Sequence, residues 1–231
     1  MEPKQIFAHI DHTLLRPDAS WRQMQTLCQE ALDYGAASVC IPPSYVERVR
    51  KDYPSLPITT VVGFPLGNEP PAVKCFAASE ALHNGANEID MVINLGDVAN
   101  RAFHRVLAEI QVIRQTIEKH VLKVIIETCY LDDRDKAELC RVISAAGADY
   151  IKTSTGFGSA GAQISDVLLF RQHLDPAVKI KAAGGIRTRE EMEAFLEAGA
   201  DRLGCSGAVP ALFPGEEKKE TPTASPIHPP C

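Results

Sequence analysis

Short β-branched, apolar runs alternate with helix-like stretches along almost the whole chain, the pattern of parallel strands joined by crossover helices. Eight such units are predicted. Their strands are Ala8–His12, Ser38–Ile41, Ile58–Val62, Glu88–Ile93, Lys123–Glu127, Tyr150–Ser154, Val178–Ala182 and Arg202–Cys205. Helices begin near Ser20, Pro43, Pro70, Asp97, Asp132, Ile164 and Thr188, several with a capping residue or a proline in the first turn, and a last helix follows Ser206. Gly35-Ala36, Gly85-Ala86, Gly147-Ala148 and Gly199-Ala200 each close a helical stretch and precede a strand, a weak internal repeat built on the usual helix stop. Eight units in about 210 residues fit a single (β/α)8 TIM barrel over residues 1–213 better than a doubly wound sheet, which stands as the alternative. From Pro214 the composition turns to PGEEKKETPTASPIHPPC, a proline-rich tail over 214–231 expected to be disordered.

Composition narrows the function classes. The 231 residues carry 24 Lys+Arg against 30 Asp+Glu, a net charge of -6 with no basic cluster, which argues against nucleic-acid binding. No apolar run approaches the ~20 residues of a membrane span, and the N-terminus lacks the basic-then-apolar layout of a secretion signal. A cytoplasmic location is expected. The seven cysteines are odd in number, form no CxxC pair and lie mostly in apolar segments, so they read as reduced, buried thiols.

In a barrel of this type the reacting groups stand at the C-terminal ends of the strands. Lys152, in ADYIKTSTGFG, and Lys181, in VKIKAAGGIRT, occupy matching places on neighbouring strands. Strands lie ~4.8 Å apart, so the two ammonium groups come within mutual reach, and like charges push one lysine towards its neutral form. Moving a lysine from ~10.4 to near 7 costs about 4 to 5 kcal/mol, which burial plus a second cation can supply. A neutral lysine attacks carbonyl carbon and forms a Schiff base. Asp90 interrupts the apolar strand NEIDMVINLG, on one face with Glu88, Val92 and Asn94, where its carboxylate would pair with a lysine or relay protons to water. Lys123 and Glu127 share a face of the fifth strand and extend this polar network.

A phosphate site is expected between Gly184-Gly185 with Arg187 and Gly204-Cys205-Ser206-Gly207, the turns after the last two strands, with a further amide from Gly156. His9 and His12 lack the companions of a metal site, so no metal is assigned. No histidine base is placed beside Cys40 or Cys205, and no serine sits in a GxSxG context.

These residues resemble the deoxyribose-phosphate aldolases, Schiff-base aldolases of the (β/α)8 type. The resemblance runs to about Pro210 and rests on six segments in order: HIDHTLL from His9, VVGFPLG from Val61, EIDMVIN from Glu88, KVIIET from Lys123, IKTSTGF from Ile151 and KAAGGIR from Lys181. It implies reversible cleavage of 2-deoxy-D-ribose 5-phosphate into glyceraldehyde 3-phosphate and acetaldehyde, without metal or organic cofactor. It implies that Lys152 forms the Schiff base, that Lys181 lowers its pKa and that Asp90 completes a proton relay through water. Gly156, Gly184, Gly185 and Ser206 would then supply amides to the phosphate, with Asp11 and Thr13 at the sugar end and Lys123 in support. Two departures stand out. Some members carry a lysine directly after the Thr-Gly turn where this chain has Phe157, leaving Arg187 as its replacement. The last strand ends in Gly-Cys-Ser-Gly where Gly-Thr-Ser or Gly-Ala-Ser is commoner. The partners implied are a sugar phosphate and acetaldehyde, with no nucleic acid and no membrane, and a homodimer is the expected assembly. The competing readings are a Schiff-base aldolase for a longer substrate and a silent barrel that only binds sugar phosphates.

Overall fold

The computed structural model describes residues 1–215. The tail expected from Pro214 therefore lies, from residue 216 onward, outside the described residues. Eight strands pair in sequence order, all parallel: β1 (Ile10–Thr13), β2 (Ser38–Ile41), β3 (Ile58–Val62), β4 (Glu88–Val92), β5 (Val121–Ile125), β6 (Tyr150–Lys152), β7 (Lys179–Ala183) and β8 (Arg202–Cys205). The pairing of β8 with β1, through Ile10↔Leu203, Asp11↔Gly204 and His12↔Cys205, closes the (β/α)8 barrel and removes the doubly wound alternative.

The helices are α1 (Pro3–Phe7), α2 (Trp21–Tyr34), α3 (Val46–Asp52), α4 (Pro71–His83), α5 (Leu95–Ala99), α6 (Phe103–Ile117), α7 (Asp133–Ala146), α8 (Ile164–His173), α9 (Arg189–Glu197) and α10 (Ala208–Leu212). Ser20, Asp132 and Thr188 cap α2, α7 and α9 with side-chain oxygens that accept the N–H of Gln23, Asp135 and Glu191. The structure departs from the sequence pattern at several points: β6 stops at Lys152, two residues before the expected Ser154, and a 3-10 turn over Pro43–Tyr45 precedes α3. A short helix, α1, precedes the barrel, and its closing turn uses Ala8 and His9, so β1 starts at Ile10. The stretch after Asp97 is two helices, separated where Arg101 takes a left-handed φ of 56°. The fifth strand spans Val121–Ile125, and Glu127 lies beyond its end with φ 50°.

The Gly-Ala repeat has a structural meaning. In three of the four copies the next residue is Asn87, Asp149 or Asp201, standing just before β4, β6 and β8. Each side chain accepts the N–H of Ile58, Leu122 or Ile180, at 2.9, 2.7 and 2.9 Å, tying an even strand to the odd strand before it. An arginine clamps each acceptor: Arg50 at 2.6 Å, Arg114 at 2.7 Å and Arg171 at 2.6 Å. Ala37 holds the matching place in the first copy.

Alternation along each strand divides the buried residues into two populations. Outward-facing residues such as Val39, Ile58, Ile89, Val124, Ile151 and Ile180 pack against Leu27, Ile110, Ile143, Phe170 and Met192 of the helices in one continuous apolar layer. The inward-facing positions carry the buried charges, with apolar residues such as Val61, Val92 and Ile125 among them, and the charged ones build the site. Among the described residues no helix is long and apolar enough to cross a membrane.

Candidate active site

Strand register places Lys152, the last residue of β6, beside Lys181 of β7, and Asp90 of β4 beside Lys123 of β5. All four side chains point into the barrel and meet. Lys152 Nζ and Lys181 Nζ each donate to Asp90 Oδ2 at 2.7 Å, and Lys123 Nζ donates to Asp90 Oδ1 at 2.9 Å. Lys181 also donates to Asp11 Oδ2, while Asp11 Oδ1 takes Arg202 Nη1 at 2.5 Å and Ser38 Oγ at 2.8 Å. Lys123 reaches Glu88 Oε2 at 2.5 Å. Asp11, Asp90, Lys123 and Lys181 are fully buried, and Lys152 is 2% exposed.

The sum of these charges identifies the odd member. Asp11, Glu88 and Asp90 supply three negative charges, and Lys123, Lys181 and Arg202 supply three positive ones. With Lys152 as a free amine this interior is neutral. Protonating it would leave a net positive charge buried in a medium of low dielectric. The surroundings of the two neighbouring lysines agree. Burial drives the Lys152 amine below its usual pKa, and Lys181 pushes it the same way; Asp90, its one carboxylate partner, opposes both without prevailing. Burial acts downward on Lys181 too, but Asp11 and Asp90 flank it and raise it well above the ordinary lysine range. Burial would raise the Asp90 carboxyl, yet Lys123, Lys152 and Lys181 together hold it well below the usual carboxylate range. Asp11 is likewise lowered against its burial, by Lys123, Lys181 and Arg202.

Lys152 opens upward into a pocket of about 390 Å³ at the C-terminal ends of the strands. Of the residues singled out in the sequence, Thr13, Gly156, Gly184, Gly185, Arg187, Gly204 and Ser206 line it. Gly156 and Gly184 have φ of 87° and 88°, and a Cβ on Gly184 would come within 3.4 Å of the Gly156 Cα, so the two loops meet backbone to backbone. A Cβ on Gly204 would stand 2.8 Å from that of Ala183 and 3.4 Å from Lys181 Cε.

Other expected residues sit elsewhere. Asp11 and Lys123 are not in the pocket wall; both are sealed inside the barrel among its ion pairs, because their inward positions lie deeper along β1 and β5. Gly207 is not in the lining either and caps α10. Glu127 does not join Lys123: once β5 has ended, its turned backbone sends the carboxylate to the N–H of Thr155, at 3.1 Å, and to the Thr155 hydroxyl. There it braces the loop that carries Gly156.

Sequence reasoning missed Leu14, Leu15, Arg16, Thr155 and Ile186 as lining residues, and it missed Arg202 and Glu88 as members of the interior network. Arg16 makes a two-point ion pair with Asp18, at 2.9 and 2.8 Å, at the mouth. Phe157 lines the pocket and meets Phe64 edge-on at 5.4 Å, an apolar wall where some aldolases of the resembled family have lysine. Burial pushes the Cys40 thiol up, and that of Cys205 up to about 12, so neither is poised as a thiolate.

Comparisons with known proteins converge on one family. The sequence profile of the DeoC/LacD family of aldolases matches residues 6–210. Deoxyribose-phosphate aldolase of Clostridium botulinum (strain Alaska E43 / Type E3) is 49% identical over 218 residues, covering 94% of this chain and 98% of that protein. The enzyme of the same name from Clostridioides difficile (strain 630) is 47% identical over 210 residues, covering 90% and 96%. Among solved structures, the deoxyribose phosphate aldolase from Aeropyrum pernix, described as a unique tetramer, superposes with a TM-score of 0.83 at 32% identity, over 91% of each chain.

Proposed function

The chain belongs to the DeoC/LacD family of aldolases, and on that premise we propose that it catalyses the reversible aldol cleavage of 2-deoxy-D-ribose 5-phosphate through a Schiff base on Lys152. The products are D-glyceraldehyde 3-phosphate and acetaldehyde. The observation that carries the assignment of Lys152 is its position: a buried amine at the pocket floor, with one carboxylate partner, inside a cage whose other charges already cancel.

In the synthetic direction, the lone pair of Lys152 Nζ adds to the carbonyl carbon of acetaldehyde, and loss of water gives the imine. Protonated on its nitrogen, the imine draws electrons from the neighbouring carbon, whose proton passes to a water held by Asp90 and Lys181, leaving a neutral enamine. Asp90 suits this part because the ammonium groups of Lys123 and Lys181 beside it keep it ionised. Lys181 suits it because its two carboxylates keep it charged, so it orients water and does not compete as a nucleophile. The enamine carbon then attacks the aldehyde of glyceraldehyde 3-phosphate, whose oxygen takes the proton back from that water to become the new hydroxyl, and hydrolysis of the protonated imine frees the product and the Lys152 amine. The phosphate would lie against the amides of Gly156, Gly184, Gly185 and Ser206, with Arg187 supplying charge where Phe157 supplies none. Thr13 would meet the sugar end; its hydroxyl is oriented by donation to the Asp11 carbonyl at 2.7 Å. Asp11 and Lys123 act from beneath, through charge.

The test is reduction with borohydride in the presence of acetaldehyde, followed by peptide mass spectrometry. An ethyl adduct confined to Lys152 and absent in Lys152→Ala is expected. No adduct, or one spread over surface lysines, would overturn the assignment. We also place the enzyme in the cytoplasm, in keeping with six described cysteines that are all unpaired, and as a homodimer, which light scattering of the purified chain tests.

A further inference from the structure

Two charged residues of the interior have no part in the scheme above. Glu88 and Arg202 open β4 and β8, so they stand at the N-terminal mouth of the barrel, the end away from the pocket. Their side chains are 12% and 15% exposed and lie 3.5 Å apart. Neither lines the pocket. Glu88 Oε2 is 2.5 Å from Lys123 Nζ and accepts the Thr59 hydroxyl at 3.0 Å, while Arg202 Nη1 is 2.5 Å from Asp11 Oδ1. Both are thus linked to Lys152 through Asp90: Glu88 by one intermediary, Lys123, and Arg202 by two, Asp11 and Lys181.

We propose that Glu88 and Arg202 are positioning residues for the aldol reaction, which act with opposite sign from the far end of the barrel, Arg202 favouring the free amine of Lys152 and Glu88 its protonated form, and so together set the pH at which that amine becomes nucleophilic. This inference rests on the Schiff-base reading of Lys152. The groups facing that amine are Asp90 from β4, Lys181 from β7 and the un-ionised Cys40 from β2. Behind them stand Asp11 on β1, Ser38 on β2, Thr59 on β3, Lys123 on β5 and Tyr150 on β6. Lys179, at the start of β7, is exposed, and water screens it. Of the six ions in the cage, Glu88 and Arg202 alone neither touch Asp90 nor lie fully buried, so they can be changed without dismantling the reacting group.

The experiment is the pH dependence of kcat/KM, in parallel with reductive trapping of acetaldehyde by cyanoborohydride, for wild type, Glu88→Gln, Arg202→Gln and the double variant. Glu88→Gln leaves the interior one unit positive, which disfavours a proton on Lys152, so the acid limb of both profiles should move down by about 0.5 to 1 pH unit. Arg202→Gln leaves it one unit negative and should move the limb up by a similar amount. The double variant restores neutrality and should return the limb to its wild-type place. Opposite shifts that cancel in the double variant support the proposal. A limb that stays fixed while kcat falls, or that moves the same way in both single variants, overturns it, because a role in packing or fold stability has no such sign. If one single variant does not fold, the other against the double variant carries the same test. Failure of wild type to trap acetaldehyde at Lys152 would instead overturn the Schiff-base reading itself.

Discussion

Ile151 and Lys152 are neighbours in the chain and both are buried, at 0% and 2% exposure, yet they lie in different media. Ile151 faces outward into an apolar layer in which an apolar side chain of similar volume is tolerated and loss of atoms is felt as lost packing. Lys152 faces inward into a cage of ions, where volume matters less than the sum of charges and the loss of one member leaves another uncompensated. The two-residue period of a strand keeps these media apart at 3.3 Å per residue. The outer face packs the barrel against its helices, and the inner face sets the charge around its lysines.

The comparison can be broken or sharpened by substitution. The largest effect is expected for Lys152→Ala, which removes the nucleophile: aldol activity should fall by on the order of 10⁴-fold or more in a steady-state assay, with the barrel still folded by circular dichroism. Next comes Lys181→Met, which strips a partner from both Asp11 and Asp90. Loss of one side of a buried pair costs about 3 to 5 kcal/mol, and the lower end is expected because Lys152 can take up the missing proton. Denaturant unfolding measures that loss, and the acid limb of the rate profile should rise because Lys152 is then favoured in its charged form. Acid stability sharpens the same point. The folded pKa values of Asp90 and Asp11 are depressed, so the stability they add is fully present above the unfolded value of ~3.9 and is lost as pH falls through the depressed folded values. Unfolding midpoints should hold from pH 7 to about 4 and decline below, and in Lys181→Met the decline should start at the same pH but be smaller in total, because the folded pKa values of Asp11 and Asp90 then lie closer to the unfolded one.

On the outer face, Ile89→Ala should cost about 2 to 4 kcal/mol by the cavity it leaves, while the pH profile of the remaining activity stays where it was. A moved profile would mean that the two faces are not independent. The smallest effect is expected for Asp149→Ala, which frees the Leu122 N–H and Arg114 at the bottom of the barrel, at about 1 to 2 kcal/mol by thermal melting. Ala37 already holds the corresponding place in the first quarter.

Much of this is legible in the sequence because it is local. The βα rhythm, the capping residues and the Gly-Ala stops depend on neighbours a few positions apart, and Lys152 and Lys181 can be paired because consecutive strands of a barrel are adjacent. Asp90 is conspicuous as an acid in an apolar strand. What escapes depends on closure and on turned backbone. Arg202 reaches Asp11 only because β8 pairs with β1, a contact across 191 positions that no local pattern announces. Glu127 belongs by its spacing with Lys123, and only the left-handed turn after Ile125 sends it to Thr155. Which of the two lysines has its pKa lowered is also hidden, since the strands present them alike; the difference lies in the second carboxylate, Asp11, that Lys181 has and Lys152 lacks. Arg16, an exposed residue beyond β1, carries no signal in its surroundings that would set it at the pocket mouth.

The central claim is that the buried charges cancel without Lys152. Its most direct test is the pH dependence of acylation of Lys152 in the full-length wild-type protein, without substrate, using a small acylating reagent and reading modification peptide by peptide by mass spectrometry. The account predicts that Lys152 reaches half its limiting reactivity clearly below the 10.5 of an ordinary lysine and is open to acylation at neutral pH. A half-point at or above 10.5 would mean that the amine is charged inside the barrel, and would contradict it.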